Sequence, residues 1–166
     1  LISVRNNLLD ASNGGVGTSI GRRGIEPIPV STFFDRNTAY KSGTGSDFYG
    51  VGLLTGSSHA ARNNLVYAPN ATAPSVINDS ASLSILGGNT SNATTNPLFS
   101  SSSPVNPADF RLTSSSYGVG AASSLIRVFD DFFGDIRNWT VPDIGFDAFN
   151  TSSLPAAAGT TVVSER

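Results

Sequence analysis

With 166 residues, 13% of them charged, and a net charge of −2, the chain is one domain with a sizeable core. Ten basic residues with no cluster beyond Arg22-Arg23 exclude a nucleic-acid surface, and the lack of cysteine excludes disulfides and thiolate metal sites. No stretch approaches the roughly 18 apolar residues of a membrane span, so membrane insertion is not expected either.

Gly (17), Pro (9) and abundant Ser, Thr and Asn take the place of charge. That is the composition of a turn-rich β protein coated with hydroxyls and amides. A helical protein would carry Lys, Glu, Ala and Leu in periodic runs. The chain has no methionine and opens on Leu1 directly in a strand-like phrase. The expectation is the C-terminal part, or a processed product, of a longer protein with upstream coils.

Residues 2–10 predict strand, bend, strand, written Val4-Arg5-Asn6-Asn7-Leu8-Leu9. Residues 11–24 are Gly-rich and polar, with Asn13-Gly14-Gly15 a turn signal, and predict a projecting loop. Residues 25–30 predict an extended edge, because Pro27 and Pro29 hold their predecessors out of helix and donate no ladder bond. Residues 31–40 repeat the opening phrase as Phe34-Asp35-Arg36-Asn37-Thr38-Ala39, and residues 41–45 turn. Residues 47–54 predict a strand, and Ala61-Arg62-Asn63-Asn64-Leu65-Val66 gives the phrase a third time. Residues 75–77 and 82–86 predict short strands of a fourth, looser coil, and residues 87–96 a polar loop. Residues 121–129 are the one stretch suited to a helix longer than a turn or two.

Asn7 and Asn37 lie 30 positions apart, and Asn37 and Asn64 lie 27 apart. A period of this size marks a solenoid. The fold class expected is therefore all-β: the end of a parallel β-helix, one strand and one bend per coil. Asn7, Asn37 and Asn64 should sit at the bend, where Asn tolerates left-handed backbone, and stack as an amide ladder. Residues 1–103 form the coils and residues 104–150 a C-terminal cap, with residues 151–166 as tail or linker. Phe129, Phe132, Phe133, Trp139, Phe146 and Phe149 concentrate aromatics where the open end of the last coil needs a plug.

Few residues suggest chemistry. His59 is the sole histidine, which leaves no catalytic triad or histidine metal cluster, and it reads as a turn residue before a strand. Asp130, Asp131 and Asp135 surround Gly134, giving clustered carboxylates of the kind calcium takes. The competing reading is a turn whose carboxylates cap amides and pair with Arg127 and Arg137. Arg5, Arg36 and Arg62 fall at nearly equivalent positions of the phrase, a basic stripe for an acidic glycan or a solvated face. Asp10, Asp35 and Asp47 are the carboxylates to stack across coils for glycosidase chemistry. Tyr40, Tyr49 and Tyr67 offer rings to a sugar. The Asn-x-Ser/Thr triplets at Asn70, Asn78, Asn89, Asn92, Asn138 and Asn150 follow from the abundance of Ser and Thr.

The C-terminal third runs Asn96-Pro97-Leu98-Phe99, then Asp109-Phe110-Arg111-Leu112. Next come Asp130-Asp131-Phe132-Phe133-Gly134-Asp135-Ile136-Arg137 and Pro142-Asp143-Ile144-Gly145-Phe146-Asp147-Ala148-Phe149. This order resembles the C-terminal end of right-handed parallel β-helix proteins of the pectate-lyase-like kind, well over residues 96–149 and loosely over the coils. Ser115-Ser116-Tyr117-Gly118-Val119 departs from the family's Gly-Ser-Pro-Ala-Ile-Asp, and the closing acid is displaced to Asp147. The resemblance implies a right-handed helix but carries no catalytic residue, since this ending is shared by proteins of many activities. Polysaccharide lyases of this kind use Lys or Arg as base, often with calcium. Lys41, Arg22, Arg23, Arg36 and Arg62 are the side chains that would line such a groove, although Lys41 precedes a plain solvated turn at Ser42-Gly43.

The function expected is binding or bordering a polysaccharide or cell-surface glycan, outside the cell, at its surface or on a virion, without a complete catalytic site. The alternatives are a stiff structural rod of a tail spike, fibre or adhesin, and part of a polysaccharide lyase or glycoside hydrolase. A homotrimer would bury faces that a short β-helix leaves exposed.

Overall fold

The structure, a computed structural model, describes residues 2–10, 16–20, 31–44, 48–53, 56–123 and 128–149. Among the described residues ten short strands follow one another: β1 (Ile2–Arg5), β2 (Leu8–Asp10), β3 (Val16–Ile20), β4 (Thr32–Asp35), β5 (Thr38–Tyr40), β6 (Tyr49–Leu53), β7 (Ala60–Arg62), β8 (Leu65–Tyr67), β9 (Ser75–Asp79) and β10 (Ile85–Gly87). The one helical element among the described residues is a 3-10 turn, Pro107–Phe110.

Every third strand pairs, always in parallel. The sheets are β1-β4-β7-β10, β2-β5-β8 and β3-β6-β9. The fold is all-β and parallel, as expected. Strand β3 lies inside the expected loop at residues 11–24: Val16 pairs with Tyr49 and Thr18 with Val51. Its glycines disguised a strand held by partners distant in sequence. Strand β9 belongs to the third triplet of strands, pairing Ile77 with Val51, rather than to a fourth coil. Residues 11–15, 25–30 and 150–166, Arg22, Arg23 and Asp47 lie outside the described residues. So do residues 124–127, within the expected helix.

Alternation places the core. Val4, Phe34 and Ala61 occupy one row of the first sheet and pack with Val51, Leu53 and Ile77. Ala39 and Val66, the middle residues of β5 and β8, pack with Phe48, Ala68 and Ala93. Between β1 and β2, β4 and β5, and β7 and β8 the chain bends in two residues. Left-handed backbone falls on the first of each pair: φ is 53° at Asn6, 55° at Arg36 and 55° at Asn63. This corrects the expectation for Asn7, Asn37 and Asn64, which take the second place.

The second sheet is apolar on both faces. Leu8, Tyr40, Leu65 and Tyr67 face away from the strand core and meet Phe99, Phe110, Leu112, Ile144 and Phe146. The C-terminal segment therefore covers the flank of the stack, not its end. Phe146 N donates to Thr38 Oγ1 (3.1 Å), Gly145 N to Asn63 O (2.9 Å) and Asn6 Nδ2 to Asp130 O (2.7 Å). At the β10 end Leu83, Ile85 and Leu86 are exposed. Trp139 and Phe132 are not plugs either: Trp139 is 40% exposed and rests on Phe129, while Phe132 packs on Phe133 and Phe146.

Candidate functional site

The asparagines form a directional column. Asn7 Nδ2 donates to Asn37 Oδ1 (3.0 Å), Asn37 Nδ2 to Asn64 Oδ1 (3.0 Å), and Asn64 Nδ2 to Asn89 Oδ1 (2.9 Å). Each acceptor also takes a backbone N–H, from Asn7, Asn37 and Asn64 in turn. The second amide hydrogen reaches back one triplet, from Asn37 to Val4 O, Asn64 to Phe34 O and Asn89 to Ala61 O. Asn89 was not anticipated, because Gly87-Gly88 replaces the polar pair of the phrase. The signal was present: a spacing of 25 from Asn64, and a glycine, Gly88 at φ 64°, where left-handed backbone is needed.

The basic stripe dissolves into structure. Arg5, Asp35 and Arg62 share one row, and Arg36 falls one residue later. Arg62 grips the buried Asp35 through Nε (2.8 Å) and Nη2 (2.9 Å), and Arg5 approaches the same carboxylate at 3.7 Å. Arg62 also lies over the Phe33 ring at 5.3 Å. Arg36 is buried and donates through Nη1 to Asp143 O (2.6 Å). Burial lowers its pKa against the raising influence of Asp143 and Asp35. Lys41 is buried over the Phe48 ring at 5.8 Å, not in a solvated turn. Nor do the carboxylates stack: Asp10 shares its row with Tyr40 and Tyr67, and Asp35 with arginines. His59 is fully buried.

The acidic turn binds its own backbone. Asp131 Oδ1 accepts from Phe133 N (2.8 Å) and Asp135 N (2.8 Å), and Oδ2 accepts from Ala148 N (2.9 Å). Asp135 pairs with Arg111 at 3.2 Å, and Asp130 serves through its carbonyl, bonded by Asn6 and by Arg137 Nε. Among the described residues no group of three or more acidic, His or Cys side chains is placed to hold a metal ion. The calcium expectation for Asp130, Asp131 and Asp135 is thereby corrected: the carboxylate at the centre is already saturated by amides.

What remains is a cleft. Tyr40 and Tyr67 are partners in register on β5 and β8, with ring centroids 5.9 Å apart. Phe110 supports Tyr40 edge-on at 5.0 Å, and Phe99 supports Tyr67 at 6.1 Å. Beside them opens a cavity of about 390 Å³ whose polar lining is Ser42, Asn70, Ser102 and Ser103, closed by Pro69, Pro104 and Val105. Asn70 Nδ2 donates to Ser42 O (2.7 Å), linking the turns that follow β5 and β8. Burial raises the pKa of both phenols, with the Ser42 hydrogen bond opposing it at Tyr40. Tyr49 is not in this group; it sits on β6 opposite Val16 and Ser75.

Set against known proteins, no family model matches the chain, and no curated protein or solved structure is significantly similar to it. Among the described residues no helix is long and apolar enough to cross a membrane.

Proposed function

We propose that the chain is a right-handed parallel β-helix that holds a neutral polysaccharide in the Tyr40–Tyr67 cleft. The observation that carries the reading is the cleft's lining. Among the described residues, two neighbouring tyrosines stand beside serine hydroxyls and an asparagine amide, and no charged side chain lines the cleft. Tyrosine offers an apolar ring with a polar tip, and small-molecule sites pair such rings with a few fixed polar groups. Hydroxyls and amides match a sugar's own hydroxyls, whereas an acidic glycan would want arginines, and Arg36 and Arg62 are bonded to Asp143 O and Asp35. Three parallel sheets linked by every third strand support the helical solenoid, and its long side suits a chain-like ligand. The reading is of binding rather than turnover, because among the described residues the lining offers no carboxylate, histidine or lysine for acid–base chemistry.

Affinity electrophoresis against neutral and acidic polysaccharides tests it. At least one neutral polymer should retard the chain. Ser103→Trp, which fills the cleft from its rim, should abolish the retardation with an unchanged melting temperature. Retardation that survives this substitution, or is confined to acidic polymers, refutes the reading.

A structural rod is the second reading. The column from Asn7 to Asn89 favours it, since all four amides are spent on holding successive triplets together.

A further inference from the structure

We infer that the Tyr40–Tyr67 cleft is gated by a proton: the neutral Asp147 side chain holds the serine wall of the cleft in place, and its ionisation releases that wall. The inference deepens the reading of the cleft as a glycan site and rests on it for the ligand. The wall is Ser102, Ser103, Pro104 and Val105. It hangs by both ends from residues 108–111. On the entering side Ser100 N donates to Arg111 O (2.9 Å), Ser101 N to Asp109 O (3.1 Å) and Ser100 Oγ to Ala108 O (2.9 Å). On the leaving side Val105 N (3.0 Å) and Asn106 N (2.9 Å) donate to Asp109 Oδ2. The same short segment supports the rings, since Phe110 meets Tyr40, and Leu112 bridges to Phe99, which meets Tyr67.

Asp147 fastens this segment from behind. Its Oδ2 accepts from Leu112 N at 2.6 Å, while its Oδ1 is buried and meets no hydrogen-bond donor among the described residues. Arg111 Nη1 stops 3.9 Å away, held to Asp135 at 3.2 Å and over the Phe133 ring at 3.7 Å. The adjoining carboxylate is Asp131, whose oxygens already take the amides of Phe133, Asp135 and Ala148. The other charged groups around the junction are bonded elsewhere. Arg137 donates to the carbonyls of Asp130, Gly145 and Asp147 and to Asn6 Oδ1, Arg36 donates to Asp143 O, and Asp143 takes the amides of Gly120 and Phe149. A negative charge on Asp147 would be buried, short of donors and beside a second carboxylate. Burial, with Asp131 adding to it, accordingly raises its pKa to about 7.

On ionisation the least fixed tether yields. The Asp147 main chain is pinned, because Arg137 Nη1 donates to its carbonyl and Asp131 holds the next amide, Ala148 N. Only the side chain is free to turn from Asp131, and the counter-charge within reach is Arg111. Turning to Arg111 takes the acceptor from Leu112 N and pulls on the residue whose carbonyl holds Ser100 N. Residues 108–112 loosen, and the wall and the ring supports loosen with them. The cleft is therefore formed at mildly acid pH and slackens as pH rises through about 7. The phenols of the cleft do not share this window, since burial raises both from 10.0.

Affinity electrophoresis in a panel of neutral glucans, mannans and galactans, run at about pH 5.5 and about pH 8.5 on the native chain and on Asp147→Asn, tests the gate. Native affinity should fall about tenfold between the two, the size of an ordinary coupling between sites. Asp147→Asn keeps an acceptor for Leu112 N and has no charge to gain, so it should bind equally at both. Equal native affinity at both pH values overturns the inference. So does the same fall in the variant, which would place the titration in another group such as the buried His59. Amide hydrogen exchange without ligand separates the gate from the glycan, and comparing the two proteins at one pH cancels the intrinsic rates. At about pH 8.5 peptides covering residues 98–112 should exchange faster in the native chain than in Asp147→Asn, and at about pH 5.5 alike. Should no polymer bind at either pH, the glycan reading fails, and the exchange difference still decides the gate: its presence supports the gate and its absence overturns it.

Discussion

Asn37 joins two neighbouring triplets through a single side chain. Its oxygen takes Asn7 N and Nδ2, at 3.1 and 3.0 Å, and its amide gives to Val4 O and Asn64 Oδ1, both at 3.0 Å. Removing it takes a partner from the Asn7 N–H in the bend and from the Val4 carbonyl in β1. Asn37→Ala should therefore cost on the order of 3 kcal/mol, read as a lower urea midpoint with an unchanged slope. A loss below 1 kcal/mol, on the order of one ordinary hydrogen bond, would mean that water replaces the column. The column was legible because Asn recurs between apolar flanks. The left-handed residue was not, because Asn6 and Asn63 make either Asn of the pair acceptable. Only Arg36 separates the two positions, and it is a poor left-handed former. It is held there by a tertiary contact, the bond from Nη1 to Asp143 O, which no local pattern announces.

Among elements, the strands of the second sheet decide where the C-terminal segment lies. Thr38-Ala39-Tyr40 and Leu65-Val66-Tyr67 put bulk on both faces, the pattern of a parallel strand buried on both sides. The aromatic density after residue 96 correctly implied a cover. Its place was misjudged, since an open end and an apolar flank ask for the same residues. Gly145 marks the flank: its φ is 88°, and a Cβ there would come 2.7 Å from Thr38 Oγ1 and 3.0 Å from Leu65 Cβ. Both neighbours sit on the sheet, so neither yields cheaply. Gly145→Ala should destabilise the fold by about 2 kcal/mol or more, seen as a lower melting temperature and earlier proteolysis after residue 96. If the segment instead lay over the β10 end, this alanine would be nearly silent. The Tyr40–Tyr67 part of the site was likewise legible from the repeat. Ser102, Ser103, Pro104 and Val105 were not, since only the path of the C-terminal segment brings them there.

At the scale of the whole molecule, the junction between sheets and C-terminal segment is built from buried charge. Arg137 spans it, donating to Asp130 O (3.0 Å), Asp147 O (3.3 Å), Gly145 O (2.9 Å) and Asn6 Oδ1 (3.0 Å). Burial lowers its pKa to about 10, with Arg36 adding to the effect. Nearby, Asp147 Oδ2 accepts from Leu112 N (2.6 Å). Burial raises the Asp147 pKa to about 7 from 3.8, against the lowering influence of the Leu112 amide and with Asp131 adding to the rise. A carboxyl with a raised folded pKa favours the fold when protonated. Its contribution is complete below 3.8 and is lost as pH rises through about 7. Asp109 works in a different window: the Asn106 and Val105 amides lower its pKa, so its share is lost only as pH falls below 3.8. The melting temperature should therefore decline from mildly acid to neutral pH, and Asp147→Asn should flatten that decline. The asparagine keeps an acceptor for Leu112 N and carries no charge, so the variant should also be the more stable protein above pH 7. An unaltered slope in Asp147→Asn would place the titration elsewhere and show Asp147 to be solvated in the native chain.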